Sequence, residues 1–138
     1  MPRRLIPDVV HDQTLLVLPA TATVREAALR MRERHIGAVL VGGDRLEGIF
    51  TERDMVNRVV ADARDPDHTR LEEVMTKDPH TITPEASAIA ALRMMQDGGY
   101  RHLPIVAGGR LVGIVSRRDL TGAEKARLEE ETGYFERL

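Results

Sequence analysis

The sequence predicts a mixed α/β fold (α+β) made of two strand-helix-strand-strand-helix units. The first observation is a repeat: residues 45–54 return as residues 110–119, with six of ten positions identical at an offset of 65. The second is a proline-terminated apolar segment ahead of a helix-like pattern in each half. The third is a pair of apolar runs joined by glycine-rich residues. An internal repeat of this kind indicates the architecture before any single residue is interpreted.

A short strand opens each half and ends at a proline. Residues 16–18 precede Pro19 and residues 81–83 precede Pro84, again 65 positions apart. Proline lacks an amide hydrogen and cannot extend a strand ladder, so each strand is expected to stop there.

A helix is predicted after each of these strands. Apolar residues recur at roughly helical spacing over residues 24–36 and 89–100. Thr23 and Ser87 are the expected N-caps, and Glu26 completes a capping box with Thr23.

Two apolar runs then close each half as a predicted hairpin, because each pair is joined by a short glycine-rich connector. The runs are residues 38–41 with 46–50, and residues 103–106 with 111–115. A second helix is expected after each hairpin. In the first half, its predicted apolar face consists of Met55, Val56, Val59 and Val60.

The chain is predicted to divide at a polar linker, residues 65–70, which is rich in turn-forming residues. Residues 71–75 look like a short helix that leads into the second half. We therefore place repeat 1 at residues 8–70, repeat 2 at residues 71–122 and a charged helical tail at residues 123–138. The apolar residues of the tail fit either a solvated helix that docks locally or a partner-binding stripe.

Composition excludes several classes of protein. The 138 residues are 42% hydrophobic and 30% charged, as in an ordinary globular protein, and contain no cysteine for disulfides or thiol catalysis. The net charge of −2 argues against nucleic acid as a partner. No apolar run is long enough to cross a membrane, and the first residues lack the pattern of a signal peptide. A cytoplasmic protein is therefore expected.

Each copy of the repeat ends in a hydroxyl, an arginine and an aspartate within four residues. Helix capping alone accounts for a hydroxyl and an acid at a helix start. The same start attracts phosphate through its free N–H groups, while a carboxylate accepts hydrogen bonds from a ribose diol. Both interpretations can hold together. The residues are Thr51, Arg53 and Asp54 in the first copy and Ser116, Arg118 and Asp119 in the second.

Gly48 and Gly113 stand at the same position in the strand before each of these motifs. Either a flat base approaches the backbone there, or the glycine permits close packing. The sequence leaves both explanations open.

The doubled pattern Gly-apolar-apolar-Thr/Ser-x-x-Asp resembles a tandem pair of cystathionine-β-synthase (CBS) domains, also called a Bateman module. Residues 103–106 (Leu-Pro-Ile-Val) and 73–76 (Glu-Val-Met-Thr) add to the resemblance, which covers about residues 8–122. It implies two β-α-β-β-α repeats packed as one pseudo-twofold module. It also implies two clefts between the repeats for adenosine-containing ligands such as AMP, ADP, ATP, NAD or S-adenosylmethionine.

The resemblance also implies roles for individual residues. The two motif aspartates, Asp54 and Asp119, would hold ribose hydroxyls. The motif hydroxyls and arginines would lie by the phosphate. The base pockets would be lined by Leu16, Val17, Gly37 and Ala38 in one cleft and by Ile82, Arg101 and His102 in the other.

The two predicted sites differ in their polar groups. Arg101 and His102 stand in the second half where the first has Gly37 and Ala38, so we expect the site with Ser116 and Asp119 to bind more tightly. His102 fits a ligand contact and a partly buried structural histidine equally well. The five histidines form no close metal-ligand pair, so no metal site is predicted.

The predicted function is regulatory: an adenine nucleotide binds, and conformational change reports it to an unknown effector protein. A homodimer is expected, with no required cofactor and no membrane. No catalytic set is recognisable, so we do not expect an enzyme. The alternative is a structural or dimerisation scaffold that binds no nucleotide.

Overall fold

The computed structural model describes residues 3–120 and residue 127. They form two compact units, here called the first unit (Leu15–Pro79) and the second unit (residues 3–14 with residues 80–120). These units do not follow the repeat boundaries drawn in the sequence, because residues 8–14 belong to the second unit and residues 71–79 to the first. Within the described ranges, no helix is long and apolar enough to span a bilayer.

The first unit contains a sheet of four strands, β1 (Val17–Leu18), β2 (Ala38–Gly42), β3 (Leu46–Thr51) and β4 (Thr76–Lys77), which lie side by side in that order. Strands β1 and β2 are parallel, while β3 pairs antiparallel with both β2 and β4. A parallel pair requires a crossover, and the first helix supplies it.

Three helices accompany this sheet: α1 (Val24–Arg34), α2 (Glu52–Asp54) and α3 (Leu71–Val74). Thr23 caps α1 as predicted, because its side chain accepts a hydrogen bond from the Glu26 amide at 3.2 Å. Helix α2 continues as a π-helical segment, Met55–Val60.

The predicted apolar face of that segment is only partly buried. Val59 is 2% exposed, whereas Val56 and Val60 are 60% and 70% exposed. The predicted helical segment is present, and within its apolar face Val59 and Met55 pack in the core of the first unit while Val56 and Val60 stay exposed.

The second unit repeats the core of this arrangement. It contains α4 (Ala88–Gly98) and the antiparallel strands β5 (His102–Ala107) and β6 (Arg110–Ser116), followed by a 3₁₀ turn, Arg117–Asp119. The predicted strand at residues 81–83 is reduced to one parallel bridge between Ile82 and Ile105. The second helix expected after this hairpin lies largely outside the described residues.

The N-terminal segment bonds to the backbone just before α4 as the start of α3 bonds to the backbone just before α1. The Leu5 amide donates to the Ala86 carbonyl at 2.9 Å, and the Leu71 amide donates to the Ala22 carbonyl at 2.9 Å. Both leucines are fully buried in the core of their unit. Residues near the N-terminus therefore complete the second unit.

Candidate functional site

The first motif turn, residues 51–54, is a closed hydrogen-bonded unit at the junction of β3 and α2. The Thr51 amide and Oγ1 both donate to Oδ2 of Asp54, at 2.9 and 3.1 Å. The Asp54 amide donates back to Thr51 Oγ1 at 3.2 Å. Asp54 is only 8% exposed. The predicted capping role is therefore confirmed for this pair.

The second motif turn, residues 116–119, is built in the same way. The Ser116 amide and Oγ donate to Oδ2 of Asp119 at 2.7 and 3.1 Å. Asp119 is exposed, unlike Asp54. In both turns these bonds leave Oδ1 of the carboxylate for another donor, and Arg53 and Arg118 lie exposed beside it in sequence.

Four of the residues expected around the base lie next to the motif turns. Ala38 is paired with Thr51 across the strands, and His102 with Ser116. The preceding carbonyls, of Gly37 and Arg101, accept hydrogen bonds from the backbone amides of residues 52 and 117 at 3.0 and 2.9 Å. Each strand pair thus brings its predicted base-contacting residues beside its own hydroxyl. Arg101 is exposed and His102 is partly buried.

The other predicted base-pocket residues lie one strand farther away. Leu16 and Val17 are half-buried; the Leu16 carbonyl accepts from the Leu40 amide at 3.1 Å, and Val17 pairs with Leu40. Ile82 is buried in the core of the second unit. Their contact with a base stays a prediction.

Strand pairing also corrects the alignment of the two halves. Leu18 pairs with Val41, which pairs with Gly48. In the second unit, Ile82 pairs with Ile105, which pairs with Gly113. The structural counterpart of Ile82 is therefore Leu18, 64 positions earlier, and not Val17 at the offset of 65. The reason is that seven residues separate Ile105 from Gly113 in the second hairpin, whereas six separate Val41 from Gly48 in the first.

At Gly48, close packing is the explanation that fits. A Cβ atom there would lie 2.6 Å from Met75 Sδ and 2.8 Å from the Thr76 carbonyl oxygen, so β4 leaves no room for a side chain. At Gly113, a Cβ would lie 3.1 Å from Gln13 Oε1, which is also a tight contact. Both positions face a neighbouring segment of their own unit.

Gln13, which no sequence pattern indicated, takes the place of a strand at the edge of the second unit. Its Nε2 donates to the Ile114 carbonyl at 2.9 Å, and its Oε1 accepts from the Ile114 amide at 3.0 Å. In the first unit, β4 pairs with the equivalent Ile49. A glutamine distant in sequence gives no local signal for this contact.

Arg58, four residues after Asp54, is a second residue that was not predicted. Its Nε is 3.8 Å from Oδ1 of Asp54, and its Nη1 donates to the carbonyls of Val74 and Met75. The i,i+4 spacing of an acid and an arginine after a helix start is a sequence signal that would have found it.

Two side chains of the linker, His68 and Asp65, have shifted pKa values. A hydrogen bond from Nδ1 of His68 to Asp65, at 2.7 Å, raises the pKa of the imidazole above its usual value. The same bond lowers the pKa of Asp65. Among the residues that the structure describes, no three His, Asp or Glu side chains gather closely enough to hold a metal ion.

Comparison with known proteins identifies the family. The CBS domain model matches residues 6–61 and residues 71–125, which is most of the chain. The chain belongs to the CBS-domain family. The resemblance seen in the repeated motif and the prediction of a mixed α/β two-repeat module are both confirmed.

Several CBS relatives are similar in sequence. An uncharacterised 17.7 kDa protein of Acidianus ambivalens is 42% identical over 122 residues, covering 86% of this chain and 71% of that protein. An uncharacterised protein of Methanopyrus kandleri is 37% identical over 122 residues, covering 84% of this chain and 62% of that protein. A CBS domain-containing protein of Arabidopsis thaliana is 36% identical over 102 residues, covering 72% of this chain but 19% of that protein.

Solved CBS structures match along most of the chain. A protein with CBS domains from Burkholderia ambifaria has a TM-score of 0.79 and 29% identity, covering 96% of this chain and 97% of that one. A CBS domain protein of Pyrobaculum aerophilum, solved in complex with AMP, has a TM-score of 0.81 and 27% identity, covering 93% and 99%. A hexameric cyanobacterial CBS-CP12 protein has a TM-score of 0.78 and 28% identity, covering 86% and 66%.

Proposed function

We propose that this CBS-domain chain is a regulatory module that binds an adenosine-containing nucleotide (AMP, ADP, ATP or NAD) and passes that signal to a partner protein. The observation that carries the proposal is the motif turn, which occurs twice with the same hydroxyl-to-carboxylate geometry. The AMP complex of the similar Pyrobaculum aerophilum protein supports the choice of ligand.

The proposed chemistry divides the nucleotide between the groups of each turn. Oδ1 of Asp54 or Asp119 accepts hydrogen bonds from the ribose diol, because Oδ2 is already bonded inside the turn. Thr51 and Ser116 donate to phosphate once their hydroxyls rotate toward it. Arg53 and Arg118 supply the positive charge that a phosphate requires. No catalytic step and no cofactor belong to this proposal.

We propose that the second motif turn binds more tightly than the first. Asp119 is exposed, whereas Asp54 is 8% exposed and has an arginine beside it. Arg101 and His102 add donors next to Ser116, where the first unit offers only Gly37 and Ala38.

Isothermal titration with AMP tests this assignment. Because a hydrogen bond to a charged group contributes about 1.5–3 kcal/mol, Asp119→Asn is expected to weaken the tighter site roughly 10- to 100-fold. Asp54→Asn is expected to affect only the weaker site. Glu52→Gln, an exposed neighbour of Asp54, is the matched control and should leave both sites unchanged. Two equal sites, or a tighter site indifferent to Asp119→Asn, would contradict the assignment.

We further propose that the protein acts as a homodimer and that ligand binding shifts the balance between two of its conformations. The hexameric cyanobacterial CBS-CP12 protein supports self-association among similar chains. Sedimentation at micromolar concentration is expected to give the mass of a dimer, twice 15.4 kDa. Sedimentation as a monomer at that concentration would refute this part.

A scaffold without ligand is the second candidate function. It is favoured by the internal hydrogen bonds of both motif turns, which satisfy one carboxylate oxygen without any nucleotide. This reading requires that the melting temperature stay constant when millimolar AMP, ADP, ATP or NAD is added, because a ligand of the native state must raise it.

A further inference from the structure

The Arg58 guanidinium touches two parts of the first unit. Its Nη1 donates to the Met75 carbonyl at 2.9 Å and to the Val74 carbonyl at 3.2 Å. Its Nε lies 3.8 Å from Oδ1 of Asp54. One side chain therefore connects the carboxylate of the first motif turn with the end of α3.

These contacts differ in strength. The last carbonyls of a helix have no partner within it, and a cation near them is favourable. Bonds from a guanidinium to such carbonyls are charge-assisted and well within hydrogen-bond distance here. The contact with Asp54 is longer than a hydrogen bond, so it orients the guanidinium through charge. Arg58 is 48% exposed on its side chain and can still reach another group.

The contact falls on the one oxygen of Asp54 that the motif turn does not use. Oδ2 accepts both hydrogen bonds from Thr51, whereas Oδ1 faces Arg58. A donor that approaches Oδ1 therefore competes with the guanidinium. In the second repeat, the residue four positions after Asp119 is Ala123, which has no such group.

The end of α3 leads directly into the connection between the two units. After Met75 come β4 and then Pro79, the last residue of the first unit. Strand β4 is held by pairing with β3, and the Asp78 amide donates to the Glu47 carbonyl at 3.2 Å. A change in the hydrogen bonds of the Val74 and Met75 carbonyls therefore affects the backbone at the start of this connection.

We propose that Arg58 is a positioning residue that couples the state of the Asp54 carboxylate to the connecting segment, residues 74–78. In the ligand-free protein, Asp54 keeps the guanidinium aimed at the two carbonyls. When a ribose hydroxyl donates to Oδ1, or a phosphate attracts the guanidinium, the hydrogen bonds from Arg58 to the Val74 and Met75 carbonyls weaken. The ligand step rests on the proposed function, whereas the ligand-free coupling does not.

Hydrogen exchange of the Met75 and Asp78 amides tests the ligand-free coupling. Arg58→Gln and Asp54→Asn are each expected to speed this exchange about 2- to 10-fold, the range that a lost hydrogen bond gives. The double variant should exchange no faster than Arg58→Gln alone, since both changes break one coupled contact. Arg30→Gln, on the exposed face of α1, is the matched control and should change nothing.

Additive effects in the double variant, or an effect of Asp54→Asn that survives in the Arg58→Gln background, would overturn the coupling. Arg58→Lys adds a second check, because lysine keeps the charge but cannot span both contacts. It should give faster exchange than the natural protein. An unchanged rate with lysine would show that a single charge suffices and would overturn the role given to the two simultaneous contacts of the guanidinium.

Addition of AMP then tests the ligand step separately. In the natural protein, saturating AMP is expected to speed the hydrogen exchange of the same amides. Arg58→Gln should abolish that increase while calorimetry still detects binding. Binding without any change at residues 74–78 would overturn the ligand step alone. Absence of binding to the natural protein would refute the proposed function, and the ligand-free arm would still decide the coupling.

Discussion

At the scale of single residues, the motif turns show how one side chain serves a structural role and a proposed ligand role. Thr51 and Ser116 each donate to an aspartate three residues later, which closes the turn. The capping role and the spacing were predictable from the sequence because they depend on neighbours along the chain. The difference in burial between Asp54 and Asp119 was not, because the two motifs are alike in sequence at these positions and burial is set by packing around each turn.

The linker histidine gives a prediction about pH. The hydrogen bond with Asp65 raises the pKa of His68 above 6.5, so NMR titration should show a pKa above that value. Asp65→Asn should return the pKa of His68 to its ordinary range. An unchanged pKa of His68 in Asp65→Asn would mean that the hydrogen bond is absent in solution.

The sign of the stability effect follows from the direction of that shift. The folded-state pKa of His68 is the raised one, so this contact contributes its stabilisation fully below pH 6.5. The contribution is lost as the pH rises through the raised pKa. On the acid side, it is lost again as the pH falls through the lowered pKa of Asp65. The free energy of unfolding, measured across pH, should show this contribution in the natural protein and not in Asp65→Asn.

At the scale of secondary-structure elements, the close approach of β4 to β3 depends on Gly48. Gly48→Ala would place a Cβ 2.8 Å from the Thr76 carbonyl oxygen, and a backbone atom cannot move aside without disturbing the strand pairing. We expect a loss of about 1–3 kcal/mol in the free energy of unfolding, measured with urea.

Gly43→Ala is the matched control for this experiment. Gly43 lies in the β2–β3 turn, and a Cβ there meets no atom within 4 Å. Its effect on stability should be within about 0.5 kcal/mol. Equal stability of both variants and the natural protein would mean that β4 does not pack on Gly48 in solution.

The elements themselves were largely predictable, and the exceptions have physical causes. Helix α1 and both hairpins follow from local periodicity and turn chemistry. The strand at residues 81–83 was expected by analogy with residues 16–18, but Pro104 lies opposite it and lacks an amide to donate. The ladder there is therefore one bridge. The helix expected after the first hairpin is present as α2 and the π-helical segment at residues 55–60.

At the scale of the whole molecule, the chain does not divide where its sequence repeat does. Leu5 and Leu71 occupy the same position in their units, and each follows an arginine, Arg4 or Arg70. This two-residue match is too short to stand out in a sequence. It explains why the predicted repeat of residues 8–70 differs from the compact unit Leu15–Pro79.

The family was predictable because the motif is local and occurs twice, and membership in the CBS-domain family is now shown. The bonds of Gln13 to Ile114 and of Arg58 to the Met75 carbonyl were not predictable, because they join groups far apart along the chain; only the i,i+4 spacing of Arg58 and Asp54 is a local signal. The most informative difference between the repeats therefore lies outside the motif, at the position of Arg58. The first repeat has an arginine that contacts its aspartate, and the second has Ala123 at that position.

The central claim is that an adenosine-containing nucleotide binds the native protein at the motif aspartates. The most direct test is the melting temperature with and without AMP, ADP, ATP and NAD, for the natural protein and for the double variant Asp54→Asn/Asp119→Asn. At a hundredfold excess over its Kd, a bound nucleotide adds about 2.7 kcal/mol and raises the Tm by roughly 10 °C. We expect such a shift in the natural protein and its loss in the double variant. A constant Tm with all four nucleotides, or an equal shift in the double variant, would contradict it.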